Sequence, residues 1–300
     1  DCLKIKSIRL VKSTAATKNN DFLIISFYHR KKVFAITGGL MKRKHKLLIL
    51  LAVIIIATLY IFFIEPSLTI AVNRIKINRF NSSDTLKIIQ ISDLHIDYYY
   101  FFHDNILSRV LMEHPDIVIF TGDALTRSSS FGALAEFFSR LSNIAPVYAI
   151  YGNWDYYDKE KIDSVYKVCH VNIIEAEQVR LNKKNKTIAF TSLPMYESPG
   201  QYYFDKGEYN IFLTHVPANI YKFSSFVDNA DLILAGHTHG GQINLPFLTR
   251  LLLQSHFSKE SFIKGMYNEQ NYDIYVNSGI GSWFNARLFC PPEITVFEID

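Results

Sequence analysis

Asp231-Leu232-Ile233-Leu234-Ala235-Gly236-His237-Thr238-His239 sets a short apolar run directly against two histidines. Four earlier stretches repeat the arrangement. Lys87 to Ile91 leads into Asp93-Leu94-His95, Asp116 to Phe120 into Gly122-Asp123, Val147 to Ile150 into Gly152-Asn153, and Tyr209 to Leu213 into Thr214-His215. An apolar run of this length, bounded by turn residues, reads as a buried strand. Oxygen and nitrogen ligands therefore stand at the ends of successive strands, where an open α/β sheet gathers its active site. One such element is weak evidence, because aspartate and histidine are common in turns. Five in order point to a two-metal hydrolase.

Between these strands lie stretches of helical period. Asn105 to Glu113 puts Ile106, Leu107, Val110 and Leu111 on one face, and Phe131 to Ile144 does the same with Leu134, Phe137, Phe138 and Leu141. Lys161 to Cys169 repeats the pattern with Ile162, Val165, Tyr166 and Cys169. The later part is strand-rich, through Thr187 to Ser192, Asp231 to Leu234, Tyr272 to Asn277 and Ile294 to Ile299. Alternation followed by a β-rich half predicts an α/β fold of two packed sheets flanked by helices. At 300 residues and 49% hydrophobic content, the chain can bury one large core, or one domain with appendages.

The candidate ligands are Asp93, His95, Asp123, Asn153, His215, His237 and His239. Mixed imidazole and carboxylate donors suit two divalent ions, with manganese favoured and iron or zinc as alternatives. A ligand set without cysteine argues against a structural zinc. Two neighbouring cations need a bridging carboxylate to offset their repulsion, and Asp123 in its Gly-Asp turn suits that role. His237 and His239 stand two apart, so both reach a metal pair only if the backbone turns between them. Cys2, Cys169 and Cys290 are too dispersed for a disulfide framework and none has CxxC spacing.

These residues resemble the calcineurin-like metallophosphoesterase family over roughly Lys87 to Asp300. The resemblance implies a four-layer αββα sandwich with a dinuclear site at the strand ends. It also implies that Asp93, His95 and His239 hold one metal, that Asp123 bridges, and that Asn153, His215 and His237 hold the second. Asp123, Asn153 and His215 are then the residues nearest the chemistry. The longer stretches Ala235 to Pro246, Asn277 to Gly281 and Pro291 to Ile294 are similar to a membrane-associated bacterial branch of the family.

One residue departs from the family pattern. A histidine that assists the leaving group usually follows the Gly-Asn pair, and here the position holds Trp154. An indole N–H can donate a hydrogen bond but cannot give up its proton at useful pH. An alkoxide leaving group needs protonation, worth about two to four orders of magnitude in rate. A phosphate or nucleotide leaving group is far less basic and departs with metal stabilisation alone. Trp154 thus favours a phosphoanhydride or an activated ester, and UDP-2,3-diacylglucosamine pyrophosphatases of the superfamily also lack the histidine. Asp155 and His256 are alternative proton sources. The competing readings are a broad phosphodiesterase or phosphatase of exported substrates, and a silent scaffold.

Leu47 to Ile64 is apolar throughout except for Thr58, and Met41-Lys42-Arg43-Lys44-His45-Lys46 precedes it. As a helix it reaches roughly 27 Å, close to the hydrocarbon thickness of a bilayer. No small-residue cleavage site follows before Glu65-Pro66, so an uncleaved single-pass anchor in an inner or cytoplasmic membrane fits better than a signal peptide. The basic run before the span places the following domain outside by the positive-inside rule, whereas a UDP-linked lipid of lipid A synthesis is met inside. The organisation expected is 1–40 as a tail or translation artefact, 41–64 as basic cluster and anchor, 65–86 as linker, and 87–300 as the catalytic domain. A bilayer and a lipid-linked phosphorylated substrate are the expected partners. The net charge of +4 is small, and basic residues after Asp93 are scattered, which gives no stripe for nucleic acid. Five aromatics, Tyr98 to Phe102, follow the first ligands and suit an acyl-binding rim or a buried strand. Tyr98, Trp154 and Arg250 are the candidate substrate contacts, with Arg127 and Arg287 as further phosphate contacts.

Overall fold

A computed structural model describes residues 42–80, 82–126, 130–196, 208–245, 262–282 and 286–300. The chain divides into two compact units, Asp1–Thr58 and Leu59–Asp300. In the first, the described residues form an exposed helix, part of α1 (Lys42–Leu68), which at 27 residues is long and apolar enough to cross a membrane. In the apolar run, Thr58 Oγ1 donates to the carbonyl of Ile54 at 2.8 Å, which satisfies that hydroxyl within the helix.

The second unit is built on two six-stranded sheets. In one, β2 (Leu86–Ile91), β3 (Ile117–Phe120), β4 (Val147–Ala149) and β5 (Val171–Ile173) run parallel in sequence order. The last strand, β12 (Glu293–Ile299), pairs antiparallel with β2, and β1 (Ala71–Ile77) pairs parallel with its other edge. In the second sheet, β7 (Lys186–Ser192), β8 (Tyr209–Leu213), β9 (Leu232–Ala235) and β11 (Asp273–Val276) run parallel. Antiparallel β6 (Gln178–Lys183) and β10 (Gly265–Asn268) close its edges. Lys184 and Asn185 turn the β6–β7 hairpin with positive φ at both positions, as a type I′ turn requires.

Three apolar clusters define the layers. Ile88, Ile117 and Ile119 of the first sheet meet Phe190, Ile211 and Leu234 of the second between the sheets. The outer face of the first sheet is covered by α2 (Phe101–Glu113), α3 (Phe131–Ser142) and α4 (Lys159–Val168). On the outer face of the second, among the described residues, lie a 3-10 turn at Pro217–Tyr221 and the single-turn helix α5 (Ser224–Val227). The expected fourth layer is therefore thin.

Three expectations need correction. Residues 65–86 are not a plain linker, because Ala71–Ile77 form an edge strand of the first sheet. Leu111 is 54% exposed, because α2 turns its buried line through His103, Ile106, Leu107 and Val110 and leaves position 111 off that face. Tyr98 to Phe102 is likewise not a buried strand. Tyr98 lies exposed before α2, and Phe102, the second residue of that helix, has its ring in the core.

Candidate metal centre

The parallel strands β2, β3, β4, β8 and β9 all end on one side of the sandwich, and the seven candidate ligands stand on the loops that leave them. Asp93, His95 and His239 bring one ligand atom each within 4.8 Å of one another, and so do Asp123, His215 and His237. Asp123 faces both groups: its Oδ2 lies 3.5 Å from His95 Nε2 and 3.2 Å from His215 Nε2. Asn153 Oδ1 lies 3.1 Å from His215 Nε2, and His237 Nδ1 lies 3.2 Å from the same nitrogen. His239 Nε2 is 3.7 Å from Asp93 Oδ1.

Tight turns aim these side chains inward. Asp93, His95, Asp123, His237 and His239 all adopt positive φ, between 43° and 72°. Non-glycine residues enter this region at a cost, and such strain concentrates at functional sites. The turn expected between His237 and His239 is there, with φ of 72° and 50° at the two histidines. Close approach demands glycine at two points. A Cβ on Gly152 would lie 2.1 Å from Asp123 Oδ1, and one on Gly236 would lie 1.9 Å from Ser92 Oγ.

A second layer of partners fixes the rings. His215 Nδ1 is 2.8 Å from the Thr121 carbonyl, and His239 Nδ1 is 3.2 Å from the Gly281 carbonyl. His95 Nδ1 is 3.3 Å from Thr126 Oγ1. In each case the other nitrogen, Nε2, is turned to the cluster, the arrangement that sets the tautomer of a metal-binding imidazole. The backbone N–H of Trp154 donates to Asp123 Oδ1 at 2.9 Å, and that of His237 donates to Asp93 Oδ2 at 3.0 Å.

For three of the four histidines, electrostatics agree with this geometry. Burial lowers His95 and His237 to about 4, and His239 is held well below its usual range for the same reason. Neutral imidazoles have a lone pair to offer. Burial alone would lower His215 too, but the Asp123 carboxylate beside it prevails and raises it to about 10. Burial likewise pushes Asp123 up, yet His215 and His95 hold its carboxyl well below the usual range. Asp93 is raised to about 6, chiefly by burial. His95 Nε2 is buried with no hydrogen-bond partner, a costly state for an aimed lone pair. Cations answer it, and the residues fit two divalent ions.

Other expected site residues fare differently. Trp154 lies beside the cluster, its indole edge-on to His95 with 5.8 Å between ring centroids. Tyr98, 68% exposed, lines a cavity of about 120 Å³ together with His95, Tyr100 and Gly281. Arg250, Arg127 and His256 lie outside the described residues. Arg287 is no surface phosphate contact: it is fully buried and its guanidinium donates to four backbone carbonyls. Asp155 is not placed as a proton source either. It is fully buried, and it accepts from the backbone N–H groups of Asp123 (2.9 Å), Ala124 (2.8 Å) and Gly152 (2.7 Å). It ties the Asp123 loop to the Asn153 loop, a role hinted at only by its place three residues after Gly152.

Comparison with known proteins agrees with the site. The family model for calcineurin-like phosphoesterases matches residues 86–241. An uncharacterized metallophosphoesterase of Bacillus subtilis, YkoQ, is 27% identical over 227 residues, covering 71% of this chain and 83% of the relative. The UDP-2,3-diacylglucosamine pyrophosphatase LpxG of Chlamydia trachomatis is 26% identical over 305 residues, covering 78% of this chain and 90% of its own. The phosphodiesterase YaeI of Escherichia coli is 24% identical over 230 residues, covering 71% and 82%. With more than half its length matched, and with strand-end donors to match, this chain belongs to the calcineurin-like phosphoesterase family, whose members bind two divalent metals and hydrolyse phosphate esters or anhydrides.

Proposed function

We propose that this phosphohydrolase is anchored in a membrane by α1 and cleaves a lipid-linked pyrophosphate such as UDP-2,3-diacylglucosamine. The observation that carries the reading is Trp154, an indole beside the cluster where a leaving-group acid is expected. Support comes also from the similarity to LpxG and from the length and apolar character of α1.

Asp93, His95 and His239 would hold one cation, Asn153, His215 and His237 the other, and Asp123 would face both. When bound, such a pair supplies a nucleophile at neutral pH and offsets charge on the phosphoryl oxygens. The protein's own contribution is orientation. The backbone N–H of Trp154 locks one oxygen of Asp123, while the other oxygen points between His95 and His215. Asp155 holds the Asp123 and Gly152 backbones together, so Asp123 and Asn153 move as one unit. The indole of Trp154 covers the edge of His95 and has no proton to give. The bond that breaks must therefore release a weakly basic oxygen, as a nucleoside phosphate does. Tyr98, exposed at the cavity beside His95, offers an aromatic face to the rest of the substrate.

A second reading, an exported phosphodiesterase, is favoured by the basic residues Lys42, Arg43, Lys44 and Lys46 before the span. One assay separates the two. Detergent-solubilised protein with Mn²⁺ should release UMP from UDP-2,3-diacylglucosamine well above its rate on bis- and mono-nitrophenyl phosphate, with Asp123→Ala as blank. Cleavage of the nitrophenyl esters alone would discard the lipid substrate and keep the hydrolase. A topology reporter fused after Asp300 would settle the side of the membrane.

A further inference from the structure

The final turns of α1 lie in the second compact unit and are built into it. Glu65, only 2% exposed, accepts the backbone N–H of Cys290 on Oε1 at 2.6 Å. The backbone N–H of Arg287 donates to the carbonyl of Ile61 at 2.9 Å. The Arg287 guanidinium donates to the carbonyls of Gly281 (2.7 Å), Cys290 (3.0 Å), Ser278 (3.1 Å) and Gly279 (3.2 Å). The Gly281 carbonyl is also the partner of His239 Nδ1, and the Cys290 thiol donates to the His239 carbonyl at 3.3 Å. These bonds form a path from the helix end to both the ring and the backbone of His239, with no step longer than 3.3 Å.

Two buried polar side chains carry that path through their hydrogen bonds. Burying a carboxylate or a guanidinium is costly unless hydrogen bonds and an opposite charge offset it. Glu65 and Arg287 hold the same short segment, the first accepting the Cys290 N–H and the second donating to the Cys290 carbonyl. A pair placed there fixes where that segment sits, and the segment fixes His239.

We propose that Glu65 is a positioning residue of the metal centre, so that the end of the apolar helix forms part of the scaffold that aims His239. This rests on the reading that the seven-residue cluster binds metal, and a separate readout tests each. Mn²⁺ affinity of the full chain in detergent, after chelator treatment, would be measured by calorimetry for wild type, Glu65→Ala, Glu65→Gln and Val227→Ala. The last variant removes core packing in α5, away from the path. Loss of an outer partner of a metal-binding histidine lowers affinity about 10- to 100-fold. Glu65 stands one partner further out, so Glu65→Ala should lose about 10-fold, the low end of that range. Glu65→Gln, whose amide oxygen can still accept from Cys290, should stay within a few-fold of wild type, as should Val227→Ala. If Glu65→Ala aggregates, Glu65→Asp replaces it: charge is kept but reach is shortened, and affinity should fall while Glu65→Gln retains it. Wild-type affinity in Glu65→Ala or Glu65→Asp overturns the proposal, and so does an equal loss in Val227→Ala. A wild type that binds no Mn²⁺ overturns the metal reading itself, and the proposal with it.

Discussion

Trp154 and Asp155 adjoin in sequence and act on the cluster in different ways. The first lies edge-on to His95 and, on the proposed reading, sets what can leave, while the second is buried beneath the loops and ties Asp123 to Gly152. Replacing Trp154 by histidine restores an ionisable ring, and general-acid help is worth about 10²-fold or more on a basic leaving group. Trp154→His should therefore raise phosphate release from an alkyl ester such as glycerol 3-phosphate by roughly that factor, while pyrophosphate cleavage changes by less than about tenfold. A ratio of the two rates equal to that of the wild type would remove the leaving-group argument. Trp154 was legible in the sequence because it interrupts a pattern of short motifs. Asp155, Arg287 and Glu65 were not, because their partners are backbone groups in loops distant in sequence, and no spacing rule announces them.

Among the elements, α2 begins with a buried histidine that is no part of the metal cluster. His103 Nδ1 accepts the backbone N–H of Tyr100, and its ring packs among those of Tyr99, Phe102 and Phe137. Burial lowers it to about 4 from the usual 6.5. The unfolded chain takes up this proton near pH 6.5 while the fold resists it, so the contribution is whole above that pH and is lost as pH falls toward 4. The loss is on the order of 3 kcal/mol. Urea midpoints from pH 7 to pH 4 should fall less steeply for His103→Gln than for wild type, and parallel slopes would count against a buried neutral ring. The interior strands and helices could be read from periodicity, since their apolar runs and faces are continuous. β1 escaped that reading because Ala71–Ile77 is an edge strand with Asn73, Arg74 and Lys76 turned outward, and its polar content resembles that of a linker.

On the scale of the whole molecule, three buried carboxylates, Asp93, Asp123 and Asp155, crowd one end of the sandwich. Burial raises Asp93 and Asp155, and repulsion from Asp123 pushes both the same way. Cations that bind only the folded chain stabilise it by about 2.7 kcal/mol at a hundred times Kd. For a unit of this size that is a rise of roughly 5–10 °C in Tm. Scanning fluorimetry should show such a rise with Mn²⁺ in the wild type, its reversal by chelator, and little response in Asp123→Ala. An equal response in that variant would place the ion elsewhere.

The position of β12 has a consequence for how the protein is made. The strand that joins β1 to β2 is the last one, Glu293–Ile299. While the ribosome is still translating, β1 and β2 have their neighbours in sequence but lack the strand that belongs between them, and each shows a bare edge. The first sheet can close only after residue 299 has emerged, by which time the apolar helix has long been available to the insertion machinery. The apolar helix is thus out of the ribosome well before the unit that follows it can complete its first sheet. A chain cut short before Glu293 would lack β12 and stay open along the middle of its sheet, a natural target for quality-control proteases.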